Sequence, residues 1–91
     1  MKVIWSDDAL DDIARLIEFL LPLSAKTAER TAAFLLDGPD KLRVTPRLGK
    51  RVSRPGPEEI RCLIIQDYEL PYELRSGEII VLRIWHTRED R

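Results

Sequence analysis

The 91-residue chain has one cysteine, one histidine, one methionine and four glycines, and each scarcity narrows what it can be. A single cysteine cannot close an internal disulfide, so packing alone has to hold the fold. Cys62 lies among Leu63, Ile64 and Ile65 and reads as a buried core thiol of a protein from a reducing compartment. His86 has no second histidine, no HExxH and no Cys/His cluster around it, so no zinc site is expected. GxSxG and a Gly-rich phosphate loop are also missing, which removes the usual signs of a nucleophile elbow or a nucleotide cradle. We expect no metal and no cofactor. No apolar run approaches the roughly 20 residues of a membrane span. The start "KVIW" leads directly into acids, unlike the basic and apolar start of a signal peptide. A cytoplasmic chain is the expectation.

What is present fits one small globular domain over residues 1–91. Hydrophobic residues make up 44% and charged residues 34%, an ordinary balance for a folded soluble chain. A domain this short buries a modest core and gains from a partner. The net charge is −1, yet "KLRVTPRLGKRVSR" (41–54) holds six bases and no acid. Such a stretch can hold an anionic partner, or it can be a solvated loop.

The pattern along the chain is β-α-α-β-β-β. "KVIW" (2–5) is strand-like. Ser6 suits an N-cap, and Asp7 and Asp8 face the positive end of the helix that follows. Leu10, Ile13, Ile17 and Leu20 fall at helical spacing, which predicts one apolar face. Pro22 stops this helix and Ser24 caps a second, lined by Ala28, Ala32, Leu35 and Leu36. The short connection makes a helical hairpin. "DGPD" (37–40) predicts a break and then a short helical piece to Val44. "TPRLG" and "RPGP" punctuate an irregular basic loop.

Strands follow. "IRCLII" (60–65) is one. "DYELPYELR" alternates, with Tyr68, Leu70, Tyr72 and Leu74 on one face, and Pro71 within it calls for an edge or a bulge. "SG" makes a tight turn. "EIIVLRIW" (78–85) is the most apolar strand. Regular alternation puts Ile80, Leu82, Ile84 and His86 on one face and Ile79, Val81, Arg83 and Trp85 on the other. The whole is an α+β fold, a helical hairpin packed on a mainly antiparallel sheet.

Arg61 and Arg83 can share a sheet face near the basic loop. There they form a phosphate cradle or pair with Glu69, Glu73 or Glu78 across strands. His86 has the chemistry for proton transfer near neutral pH, although a histidine at a strand end is more often structural.

The segments "IWSDDALDDIARLIEFL", "PRLGKRV", "EIRCLII" with "YELPYEL", and "LRIWHTRED" together resemble the RelE/ParE superfamily of bacterial toxins. Their order, spacing and chain length carry the resemblance over nearly the whole sequence. The nearest branch is the ParE-like, plasmid-stabilisation one. The resemblance implies the toxin half of a type II toxin–antitoxin pair. It also implies an antitoxin whose partly disordered segment folds over the toxin, beside the helical hairpin and along the sheet edge. For that contact we expect Leu16, Phe19, Leu20, Leu35 and Trp85. Members of the RelE-like branch cut mRNA on the ribosome. In that reading Arg61 and Arg83 hold the phosphate, His86 moves protons, and Lys50 and Arg51 belong to the basic loop. ParE-like members poison DNA gyrase and do no chemistry of their own. Target or phosphate contacts in either case fall to Lys50, Arg51, Arg54, Arg61, Arg83 and Arg88. Three features favour the gyrase poison over the ribosomal nuclease. The pI is about 5.8, low for a protein that grips RNA. Thr87 and Arg88 stand where the nucleases carry a C-terminal tyrosine, and "WHTRED" is a ParE-like ending. A member that binds only its antitoxin is the third reading.

Overall fold

The computed structural model describes residues 1–52 and 56–88. Its elements are β1 (Lys2–Trp5), α1 (Asp7–Leu20), α2 (Ala25–Asp37), a 3-10 helix (Gly38–Arg43), β2 (Lys50–Arg51), β3 (Glu59–Ile65), β4 (Tyr68–Arg75), β5 (Glu78–Val81) and β6 (Trp85–His86). The sheet runs β1-β5-β4-β3-β2, and β6 pairs with β4 beyond β5. Only β1 and β5 are parallel; the other pairs are antiparallel.

Local signals set the helices. The Ser6 hydroxyl accepts the Ala9 N–H at 3.0 Å, and the Ser24 hydroxyl accepts the Thr27 N–H at 3.1 Å. Each satisfies a backbone donor that the first helical turn leaves open, which is worth about 1 kcal/mol. Ser6 also ties α1 to the sheet: its N–H donates to the Val81 carbonyl at 3.0 Å and its hydroxyl to the Leu82 carbonyl at 2.9 Å. Pro39 sits in the first turn of the 3-10 helix, where the chain breaks after α2.

The buried stripe of α1 is Ala9, Asp12 and Leu16, flanked by Ile13. It lies one position away from the predicted stripe, and Leu10 is 47% exposed. On α2, Ala28, Thr31 and Leu35 are buried, whereas Leu36 faces out. One sheet face meets the helices through Val3, Trp5, Leu63, Ile65, Tyr68, Leu70, Tyr72, Leu74, Ile79 and Val81. Each large apolar side chain buried there contributes about 1.5–3 kcal/mol. Cys62 is not among them. It pairs with Pro71 and Lys50 on the opposite face and is half-buried, which corrects the expectation of a core thiol.

The last strand is interrupted. Tyr72 pairs with Val81, but Glu69 pairs with Trp85. Leu82, Arg83 and Ile84 therefore stand opposite only Leu70 and Pro71, so the strand carries one extra residue, a bulge. Pro71 has no N–H to offer the ladder, and its carbonyl accepts the Leu82 N–H at 2.9 Å. The proline lies in an interior strand and is accommodated by the bulge. The extra residue shifts the alternation. Ile79, Val81 and Ile84 are all buried at 0–1% exposure, and His86 stands beside Tyr68 on the helix side. The predicted grouping of Ile80, Leu82, Ile84 and His86 on one face does not hold.

Candidate partner-binding cleft

The end of α1, the start of β4, and β6 with the turn after it meet at a cleft of about 460 Å³ lined by Arg15, Leu16, Phe19, Leu20, Tyr68, His86 and Arg88. Its floor is aromatic. Tyr68 meets His86 edge-on with ring centroids 5.2 Å apart and lies 5.9 Å from Phe34. Its wall is α1, which presents Phe19 at 68% exposure. A large aromatic group this exposed above a pocket is the feature expected of a binding anchor. Arg15 and Arg88 make the rim basic. The Arg88 N–H donates to His86 Nδ1 at 3.1 Å, so that imidazole nitrogen accepts and lies within a local turn.

Of the residues expected to meet an antitoxin, Leu16, Phe19 and Leu20 line this cleft. Leu35 is fully buried in the core. It offers a partner no surface, and that expectation is corrected: its helix turns Leu35 inward with Ala28 and Thr31. Trp85 pairs with Glu69, one residue out of phase with His86, and so points away from the cleft. The Arg83 guanidinium lies 5.3 Å from its ring centre.

Arg83 belongs to a second constellation that spacing did not show. Asp12, 1% exposed, accepts Arg83 Nε at 2.8 Å and Nη2 at 3.0 Å, the Ile84 N–H at 2.9 Å and Arg15 Nη1 at 3.2 Å. Burial alone would push this carboxyl up. The hydrogen bonds from Arg83 and Ile84 and the charges of Arg83 and Arg15 outweigh burial and hold it below the ordinary range. A carboxylate on the apolar stripe of α1, between Ala9 and Leu16, was the available signal. From sequence, only Asp7 and Asp8 had a role, as partners of the helix dipole, and Asp12 had none.

Arg61 is held elsewhere. Its Nε donates to Glu59 at 2.8 Å and its Nη1 to the Gly49 carbonyl at 2.8 Å. Arg47 makes two bonds of 2.9 Å to the same carboxylate. The buried Tyr72 hydroxyl donates to the Pro46 carbonyl at 2.8 Å and accepts the Gly49 N–H at 2.9 Å. Together they brace the turn that leads into β2. A Cβ on Gly49 would stand 2.7 Å from both the Cys62 carbonyl oxygen and the Tyr72 ring, so the close approach needs glycine there.

Arg61 and Arg83 are thus occupied by different carboxylates on different elements. They form no shared cradle, and the cross-strand partners predicted for them are replaced by Glu59 and Asp12. Lys50 and Arg51 are exposed on β2; Arg54 lies outside the described residues. Among the described residues no group of three His, Cys, Asp or Glu could hold a metal. None of the described helices is long and apolar enough to cross a membrane.

Arg47 first and Arg61 second lower the Glu59 carboxyl from the usual 4.5 to about 2. Its brace is complete above the usual value and is lost as pH falls toward the lowered one. Acid titration followed at the Gly49 amide should show the turn opening between about pH 4.5 and 2. Glu59→Gln should flatten that profile; an unchanged profile would remove Glu59 from the brace.

A hairpin of helices covers one face of a small mixed sheet and leaves an exposed aromatic cleft at the end of α1. The chain belongs to the family described as "ParE toxin of type II toxin-antitoxin system, parDE", whose family model matches residues 3–91. No curated protein matches the chain. Among solved structures it is similar to "Chromosomal ParDE TA system from P. aeruginosa", with a TM-score of 0.79 and 21% identity over 94% of this chain and 95% of that one. This second likeness shows the fold. The chain is a ParE-type toxin of a type II toxin–antitoxin system.

Proposed function

We propose that the chain acts in the cytoplasm as a toxin that inhibits DNA gyrase without chemistry of its own. A cognate antitoxin, encoded beside it, neutralises it by laying an apolar and acidic segment into the cleft at Phe19. The observation that carries this reading is the state of the three residues a nuclease would need. Arg61 is bound to Glu59, Arg83 to Asp12, and His86 Nδ1 to the Arg88 amide. A general acid or base has to reach the reacting atoms together with the phosphate-holding groups, and these side chains sit in separate networks. Arg15 and Arg88 at the cleft rim suit a segment that brings acids as well as apolar anchors. The antitoxin's cost of ordering is offset by the apolar area the cleft covers.

The test is expression without the antitoxin, with growth, supercoiling by purified gyrase and mRNA ends all followed. Growth arrest with inhibited supercoiling and intact mRNA is the expected result. Codon-phased mRNA cuts that require ribosomes would replace gyrase with the ribosome as target. Normal growth with untouched supercoiling would leave only the antitoxin-binding role.

A further inference from the structure

Strands with one face in the core alternate apolar inward and polar outward when the other face meets water. The sheet departs from that rule. Its inward residues join one core with α1, α2 and the 3-10 helix. The alternate positions lie on the face turned away from those helices. There Ile4, Ile80, Pro71, Cys62 and Trp85 are half-buried, and Ile64 is 58% exposed. A contiguous apolar patch of this kind marks a contact surface.

Charge borders the patch at one end in a definite order. Pairing sets Lys2 beside Glu78 and Glu78 beside Arg75. Glu59 pairs with Leu74, so Glu58, one residue earlier, falls beside Arg75. Glu73 first, then Glu78 and Glu58, hold the Arg75 guanidinium above its ordinary value. Across β1, β5, β4 and the start of β3 the row reads plus, minus, plus, minus. The next row is Ile4, Ile80, Glu73 and Ile60. Its Glu73 carboxylate is taken by two bonds of 3.0 and 3.2 Å from Arg75, whose side chain stays 61% exposed.

A row of alternating sign draws neither an acidic nor a basic partner strongly, but it complements its own reversed order. Consider a second copy turned by 180° about an axis along the strands, between β4 and β5. That rotation brings β1 over β3 and β5 over β4 and keeps the rows in line. Lys2 then meets Glu58 and Glu78 meets Arg75, each contact occurring twice, as in any isologous pair. Ile80 lies next to the axis in both copies. Four strands about 4.8 Å apart and about seven residues of β4 give a face of roughly 400–600 Å². The pair therefore covers about 1,000 Å² in total, the lower bound for a specific interface, which makes the dimer weak and reversible.

We propose that the outer face of the sheet docks a second copy of the chain, sheet on sheet, as an isologous dimer. Both clefts at Phe19 stay open on the far sides, so the dimer does not depend on what they bind.

Sedimentation equilibrium of the intact chain from about 1 μM to 1 mM, the span of a weak interface, should show monomer and dimer in exchange. Lys2→Glu sets acid against Glu58 at both contacts, and Glu58→Lys sets base against Lys2. Each variant alone should dimerise at least about tenfold more weakly. An equimolar mixture of the two should recover the wild-type Kd, because both contacts of the mixed pair are then opposite in sign. Within one copy the two positions are three strand spacings apart, about 14 Å, beyond the roughly 8 Å over which charges act in physiological salt. Recovery therefore requires two chains. Both side chains are exposed, so the variants should keep the wild-type circular dichroism. A chain that stays monomeric to about 1 mM would overturn the proposal and leave the face to a different protein. A dimer indifferent to both reversals, or a mixture that does not recover, would overturn it by moving the contact elsewhere.

Discussion

Asp12→Ala is expected to destabilise the protein by about 3–5 kcal/mol, the range for removing one partner of a buried ion pair. The loss has three parts. The Ile84 N–H, bonded at 2.9 Å, loses its acceptor inside the fold. Arg83 loses a two-point partner, and the like charges of Arg83 and Arg15 remain together without the carboxylate that joins them. The two arginine side chains are 39% and 53% exposed, so water recovers part of their share. This places the effect toward the lower end of that range. A domain of this size has about 5–14 kcal/mol to lose at the usual stability per residue, so the variant should fold but melt far earlier. Asp12→Asn keeps one acceptor oxygen, enough for the Ile84 N–H and Arg83 Nε, but gives up the charge and the second oxygen that takes Arg83 Nη2 and Arg15 Nη1, so it should fall between wild type and alanine. Urea unfolding measures all three. Acid should act on the same contact. The Asp12 carboxyl lies below its ordinary 3.8 in the fold. Its contribution is complete above that value and fades as pH falls through the lowered one. Asp12→Asn should therefore lose less stability than wild type below about pH 4. Equal stability of Asp12→Ala and wild type would mean that the carboxylate contributes nothing.

The second large effect concerns binding. Phe19→Asp should raise the Kd for the antitoxin at least about thirtyfold, the size of a hot-spot loss near 2 kcal/mol. The substitution removes the proposed aromatic anchor and puts an acid where the proposed acidic segment would dock. Because Phe19 is 68% exposed in the free toxin, its stability should change little, by about 0.5 kcal/mol or less. Leu23→Asp is the control: Leu23 is 71% exposed on the turn between the helices and does not line the cleft. Calorimetric titration of both variants separates the cleft from a general response to added charge. Equal Kd values for the two would move the antitoxin elsewhere on the surface.

Much of the architecture was legible because short-range signals wrote it. Ser6, Pro22 and Ser24 placed the helical hairpin, "DGP" placed the break after α2, and the alternation of Tyr68, Leu70, Tyr72 and Leu74 placed the packed face of β4. Pro71 called for an edge or a bulge, and it stands in an interior strand opposite a bulge in the last one, since a residue without an N–H has few places in a sheet interior. What escaped was non-local. Asp12 and Arg83 are 71 residues apart, and no spacing rule joins them. The two residues of β2 become a strand only because Cys62 and Arg61 pair with them. Phe19 and Leu20, named for an antitoxin contact through the family resemblance, line the cleft at the end of α1. Leu35 was misplaced because hydrophobicity alone does not tell a core position from an anchor. The distribution of cations was misread for the same reason: whether Arg61 meets a phosphate or Glu59 depends on a register that composition does not contain.

The bulge in the last strand also makes pairing register a determinant of surface chemistry. Trp85 and His86 are neighbours, and which of them looks toward the helices depends on whether three residues or two span the stretch opposite Leu70 and Pro71. Were the bulge lost at full chain length, so that only Leu82 and Arg83 faced Pro71 and Leu70, Trp85 would stand opposite Tyr68 and the two would exchange. An indole would then replace the imidazole beside Tyr68, and His86 would turn outward. A relative shorter by one residue at this point would need no bulge to seat the same two rings, so the extra residue and the bulge cancel each other in what a partner meets.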